Sequence, residues 1–300
     1  MRFPGIIPAA VTPFTPDDRV DVEGLKGNLK GLFEAGCSGV VATGTMGEAG
    51  QLSDAERRLV VEKCVAVAGQ SSGFVVVGVS AGSTAAAVAN ASAAAAAGAD
   101  AVMCLPPLHY PGTLAEMVAF YRAVDAAAGE LPIMLYNNPA ASGVDLSPEV
   151  IAAIAAEVEG IVAVKECSGD ARRIATLIEE TDLDILVGGD DWALEGFAAG
   201  ATGWVSGVAN VAPAECVELS RLIDAGQLAD ARALYLRLLP LARLDMTPHL
   251  VQYFKGAMDA VGLRGGVSRG PRLPLDEAQQ AILDAAVAAL RAGAGAPVSA

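Results

Sequence analysis

Eight short apolar runs, each followed by a helical pattern, constrain the fold of this chain more than any other feature of its sequence. They lie at 5–11, 38–43, 74–79, 100–105, 132–136, 161–165, 183–188 and 202–206. The runs are continuous rather than alternating, as strands of a parallel sheet covered on both faces should be. Helix signals fill the gaps between them. Ser53-Asp54-Ala55-Glu56 has the form of a capping box, and Ser147-Pro148-Glu149 places a capping hydroxyl before a first-turn proline. Gly36, Gly98 and Gly200 each end an alanine-rich stretch just before a strand, where a helix needs a left-handed residue to stop. Eight strand–helix units in succession predict a closed (β/α)8 TIM barrel, typically about 250 residues long, rather than an open doubly wound sheet. The first strand–helix turn lacks GxGxxG, which argues against dinucleotide binding. Beyond residue 226 only helical patterns remain, at 227–244, 247–262 and 276–292, with Thr247-Pro248 reading as a cap and first-turn proline. The expected organisation is therefore a barrel over 1–226 and a C-terminal helical extension over 227–300 that packs on it.

Composition excludes several functions. A net charge of −15 disfavours nucleic acid and anionic membrane as partners. The 53% hydrophobic content derives largely from alanine, and no run reaches the ~18 apolar residues of a membrane span. The N-terminus lacks the layout of a signal peptide, so a cytoplasmic location is expected. Five cysteines, odd in number and free of CxxC spacing, support neither disulfides nor zinc. His109 and His249 lie far apart and outside any ligand motif. No metal and no cofactor is expected.

Barrels of this class carry their chemistry at the carboxyl ends of the strands. Lys165 ends the sixth run, Ile161-Val162-Ala163-Val164-Lys165. Burial there should lower its pKa from ~10.4, and a neutral amine can attack a carbonyl to give a Schiff base. The competing reading is a structural ion pair with Glu166 or Asp190. Tyr136 ends the fifth run, where a phenol can carry a proton or simply pack. Thr45, in a glycine-flanked loop, can hydrogen-bond such a phenol or serve as a turn residue.

Together these segments resemble the dihydrodipicolinate synthase/N-acetylneuraminate lyase family of Schiff-base barrels. The resemblance spans nearly the whole chain: PAAVTPF near the start, GTMGEAGQLS, LYNNP, VKECSG, GGDD and GWVSGVAN. It implies Lys165 as the imine-forming lysine, Tyr136 as the proton shuttle and Thr45 as the hydroxyl that orients it. Val205, through its carbonyl, and the neighbourhood of Gly189 would line the pocket. Amides of the Thr45-Met46 turn would hold the substrate carboxylate without a side-chain cation. A small 2-oxo or cyclic imino acid is the implied substrate, and a homo-oligomer, dimer or tetramer, the implied assembly.

Three positions depart from the synthase pattern. Met46 replaces a second hydroxyl residue. Leu108 stands where a tyrosine would reach a neighbouring subunit's site, with Tyr110 two residues on. Ala141 stands where an arginine would hold the second substrate's carboxylate. On these grounds the expected activity shifts to the family's pyrroline-4-hydroxy-2-carboxylate deaminase branch, which LPIMLYNNP, the RLD stretch and PRLPL also resemble, or to a 4-hydroxy-2-oxo acid aldolase. 4-Hydroxy-tetrahydrodipicolinate synthase is the alternative. A phosphosugar barrel and a non-catalytic binding barrel are the readings from other classes, the first opposed by the lack of lysine or arginine within 188–210.

Overall fold

The computed structural model describes residues 1–108 and 111–292. Each apolar run forms a strand: β1 (Gly5–Pro8), β2 (Gly39–Ala42), β3 (Phe74–Gly78), β4 (Ala101–Cys104), β5 (Ile133–Asn137), β6 (Ile161–Glu166), β7 (Asp184–Val187) and β8 (Gly203–Ser206). All pair in parallel, in the order β1-β8-β7-β6-β5-β4-β3-β2. The circle closes between β1 and β2, where Ala9 bridges Val41 and the Ala10 amide donates to the Val41 carbonyl at 2.9 Å. The result is a (β/α)8 barrel.

Helices cross from each strand to the next on the outside. They are α1 (Val22–Glu34), α2 (Asp54–Ala68), α3 (Thr84–Ala96), α4 (Leu114–Ala128), the single turn α5 (Pro139–Ser142), α6 (Pro148–Glu157), α7 (Arg172–Glu180), α8 (Ala193–Ala198) and α9 (Pro213–Asp224). The Ser53 capping box forms in full, its hydroxyl accepting from the Glu56 amide and the Glu56 carboxylate accepting from the Ser53 amide. Gly36, Gly98 and Gly200 do hold left-handed φ values of 95°, 81° and 104°. Strands are buried on both faces, which is why their sequences do not alternate.

Three further helices follow, α10 (Leu228–Ala242), α11 (Leu250–Ala260) and α12 (Glu277–Ala292). Thr247 does not cap α11. Its hydroxyl turns back to the Leu244 carbonyl at 2.8 Å, and the helix starts at Leu250. The turn before it, Arg243–Met246, folds across the carboxyl-terminal mouth of the barrel.

That extension is tied to the barrel by a buried charge cluster. Lys255 Nζ lies 2.5 Å from Glu48 Oε1, with side-chain exposures of 2% and 0%. The other Glu48 oxygen accepts from the Arg269 amide at 3.0 Å and faces Arg272 at 3.4 Å. The Phe14 ring is sandwiched between Lys255 Nζ, at 4.4 Å, and the Arg269 guanidinium, at 4.1 Å.

Candidate active site

A cavity of about 420 Å3 opens at the carboxyl ends of the strands. At its floor, parallel pairing of β5 with β6 sets Tyr136 directly opposite Lys165. Both side chains are almost fully buried, and Lys165 Nζ stands 4.2 Å from the centre of the Tyr136 ring. Neither proposed structural partner engages the lysine. Glu166 is occupied by the Asn137 amide group at 3.0 Å and the Ser168 N–H at 2.5 Å. Asp190 accepts from Trp204 Nε1 at 2.9 Å, the Gly207 N–H at 3.2 Å and the Val208 N–H at 2.7 Å. Lys165 is therefore aimed into the cavity rather than consumed by an ion pair among the described residues.

Its protonation differs from the sequence-based expectation. Burial does disfavour the ammonium, but Tyr136, Cys167 and Asp245 around it favour the charged form, and the balance raises its pKa. Burial pushes the Tyr136 phenol and the Cys167 thiol each up to about 12, so both are neutral at physiological pH. The anion then facing the ammonium is Asp245. Its own carboxyl is pushed up to about 6 by burial, with Lys165 opposing that rise. The expectation failed because position on β6 reveals burial, whereas the groups that oppose it, Tyr136 first, then Cys167 and Asp245, are gathered around the lysine by the fold.

The phenol oxygen of Tyr136 accepts a hydrogen bond from Asn138 Nδ2 at 2.8 Å. Thr45, expected to orient that oxygen, lines the cavity but is exposed, with no hydrogen bond to Tyr136 among the described residues. The cause lies in the turn after β2. Thr43 takes a left-handed φ of 52°, its hydroxyl bonded to the Gly78 carbonyl at 3.1 Å, and Glu48 takes φ 54°. That reversal presents the backbone of Thr45-Met46 to the cavity. Among the described residues, the amides of Thr45 and Met46 donate to no protein acceptor, which leaves them free for an anion.

Met46 and Val205 line the cavity as expected; Gly189 does not. The lining glycine is Gly188, where a Cβ would fall 2.0 Å from Cys167 Sγ and 2.9 Å from Lys165 Cε. Only glycine lets the lysine stem pass. Leu108 packs partly buried against the core, away from the lining of this cavity. Its side chain is apolar, so it settles against the nearest apolar surface. Tyr110 and His109 lie outside the described residues. Asn138, Cys167 and Asp245 were missed as site residues. Asn138 was legible within LYNNP; Asp245 carried no local signal.

Comparison with known proteins assigns the family. Residues 2–290 match the model of the dihydrodipicolinate synthetase family. The 4-hydroxy-tetrahydrodipicolinate synthase of Methanothrix thermoacetophila is 38% identical over 94% of this chain and 95% of its own length. The structure of the enzyme of that name from Methylacidiphilum fumariolicum superposes with a TM-score of 0.91 at 28% identity, covering 97% of each chain. A prophage protein of the same family from Escherichia coli K12, solved in complex with pyruvate, superposes at 0.89 with 26% identity over 96% of this chain and 99% of its own.

These relatives overturn the expected deaminase or aldolase activity. Curated relatives at 34–40% identity, each aligned over more than nine-tenths of this chain, are named 4-hydroxy-tetrahydrodipicolinate synthase. The expectation weighed three side chains, Met46, Leu108 and Ala141, against a likeness that extends over the whole chain. None of the three belongs to the Lys165–Tyr136 pair, whose facing arrangement is the same whatever those side chains are. No helix among the described residues is long and apolar enough to cross a membrane. The chain is a Schiff-base lyase barrel and belongs to the dihydrodipicolinate synthetase family.

Proposed function

We propose that this chain is a 4-hydroxy-tetrahydrodipicolinate synthase, condensing pyruvate with aspartate semialdehyde. The observation that carries the reading is the buried Lys165 ammonium 4.2 Å over the Tyr136 ring, at the floor of a cavity whose wall presents free amides. Lys165 passes a proton to solvent, the neutral amine attacks C2 of pyruvate, and a proton returned to the carbinol oxygen lets it leave as water, forming the protonated imine. The Thr45 and Met46 amides hold the pyruvate carboxylate. The protonated imine draws electrons from C3, and Tyr136 relays the C3 proton, handing its own hydroxyl proton on to solvent as it accepts. The enamine carbon attacks the aldehyde carbon of the second substrate, whose oxygen takes up a proton in turn. Tyr136 is suited to relay protons because burial keeps it neutral and Asn138 fixes its oxygen.

Whole-chain likeness to the named synthases supports the second substrate. We also place the protein in the cytoplasm as a homo-oligomer, dimer or tetramer. Leu228 and Leu236, both on α10, are 56% and 58% exposed, which favours a covered surface in solution. Incubation with pyruvate and borohydride should add reduced pyruvate at Lys165 and nowhere else. The condensation should run at kcat/KM of about 10⁴ M⁻¹s⁻¹ or more. An adduct that persists in Lys165→Ala, or no loss of aspartate semialdehyde with the wild-type chain, overturns the reading.

A further inference from the structure

Two groups on the cavity wall carry charge among the described lining residues, Lys165 and Asp245. They reach it from opposite ends of the fold, Lys165 from β6 and Asp245 from the turn between α10 and α11. Both line the cavity and act on each other electrostatically, yet they form no direct ion pair among the described residues. Asp245 is partly buried. Its Oδ1 lies 3.3 Å from the point where a side chain on Gly207 would begin, and Asp190 Oδ2 lies 3.1 Å from the same point. The two carboxyls are thus neighbours with different fates. Asp190 is fully buried and saturated by three N–H donors. Asp245 looks into the cavity.

The opposite wall, Ala140 and Ala141 beyond Asn138, is apolar and carries no cation. A second substrate entering the cavity therefore meets the Asp245 carboxylate and, among the described lining residues, no guanidinium to hold its acid group. Attraction there is for a cation. Aspartate semialdehyde carries one, its α-ammonium.

We propose that Asp245 binds the ammonium of the aldehyde substrate and accepts a proton from it, freeing the amine to attack the imine carbon and close the ring. This assignment rests on the synthase reading above. After the C–C bond forms, Lys165 is joined to C2 as a protonated imine and the substrate nitrogen is still an ammonium. One proton passes to the Asp245 carboxylate, and the neutral amine adds to C2. A second proton moves from that nitrogen to the Lys165 nitrogen, which leaves as a neutral amine as the ring C=N forms. Asp245 then returns its proton to Lys165, restoring the carboxylate and ammonium of the resting site. No oxidant, reductant or further reactant is consumed.

A carboxyl pushed up to about 6 is ionised at neutral pH and more basic than an ordinary aspartate, as a proton acceptor here should be. The charged and titratable groups facing it are Lys165, Asp190 and Asp191, with Tyr136 and Cys167 on the same cavity wall.

The test uses the full chain and Asp245→Asn. Trapping of pyruvate at Lys165 by borohydride should persist, which also shows that the variant folds. Turnover of aspartate semialdehyde should fall about 10²–10⁴-fold, and its acidic limb near pH 6 should vanish from the pH profile. Borohydride should then capture an uncyclised pyruvate–semialdehyde adduct on Lys165. Succinate semialdehyde, which lacks the ammonium, should add to the unreduced Lys165-bound enamine equally in wild type and variant. Asp245→Glu should recover at least tenfold of the lost turnover. Turnover of Asp245→Asn within threefold of wild type overturns the assignment while leaving the synthase reading standing. So does loss of succinate semialdehyde addition, or of pyruvate trapping, in step with turnover, since either would make Asp245 a support for Lys165. A wild-type chain that traps pyruvate but ignores aspartate semialdehyde overturns the synthase reading and this assignment with it.

Discussion

Replacing Lys255 by methionine removes one charge from a buried pair and abandons the other. Lys255 Nζ and Glu48 Oε1 are 2.5 Å apart, with almost no side-chain exposure at either residue. Methionine nearly matches the lysine stem in volume, so packing against Phe14 changes little and the measurement reports the charge. Breaking a buried pair by removing one partner costs about 3–5 kcal/mol. Glu48 keeps the Arg269 amide at 3.0 Å and Arg272 at 3.4 Å, which places the expected loss at the lower end, about 3 kcal/mol. Glu48 also holds a left-handed φ at the end of the Thr45-Met46 turn, a conformation that persists only while its surroundings enforce it. The variant should therefore raise KM for pyruvate more than it lowers kcat. The assay is urea unfolding at pH 7 for Lys255→Met, Glu48→Gln and the double variant. Removing both charges leaves no buried carboxylate without its lysine, although Arg272 and the Val267 carbonyl each lose a partner, so the double variant should recover more than half of the single-variant loss. A loss under about 1 kcal/mol for Lys255→Met, or a double variant no more stable than the single one, would refute the reasoning.

Two further outcomes follow from the same geometry. Tyr136→Phe should keep the fold and lose about 10²–10⁴-fold in kcat, because only the hydroxyl that accepts from Asn138 disappears; near-normal turnover in a folded variant would make Tyr136 a packing residue. Glu56, held down to about 2 from 4.5 chiefly by its hydrogen bond to Arg269, contributes stability that is present above pH 4.5 and lost as pH falls through about 2. With the side chain 27% exposed, Glu56→Gln should cost about 1 kcal/mol at pH 7, and the gap to wild type, read from urea midpoints, should close near pH 2; a gap that stays constant with pH assigns the effect to something other than this charge.

Much of the site was legible because barrel chemistry sits at strand ends. Lys165 and Tyr136 could be found by locating β5 and β6, whereas Met46 and Val205, which also line the cavity, came only from the family resemblance. Asn138 lay within the same motif as Tyr136. Asp245 was invisible for a physical reason. The RLD stretch entered only as part of a resemblance, and no rule of strand position or spacing places Asp245 at the cavity, since that depends on where the turn lands. The raised pKa of Lys165 was missed too, since local sequence reveals desolvation but not the groups, Tyr136 foremost, that folding brings against the ammonium. Reading Ala141 as the loss of a synthase went wrong similarly. A missing cation was visible in sequence, whereas an acid reaching the cavity from the far end of the chain was not.

The sequence by itself determined the eight strand–helix units, the glycine stops, the capping box before α2 and the placing of a lysine and a tyrosine at the ends of β6 and β5. These depend on periodicity, backbone conformation and burial, all local or nearly so. Only the tertiary structure decided which pairs face each other: Tyr136 opposite Lys165 through the β5–β6 register, Glu48 locked to Lys255, and Asp245 across the cavity from the lysine. Contacts between residues distant in sequence arise when apolar faces are buried together, and the positions of the charges they carry are set by that packing rather than by neighbours in the chain.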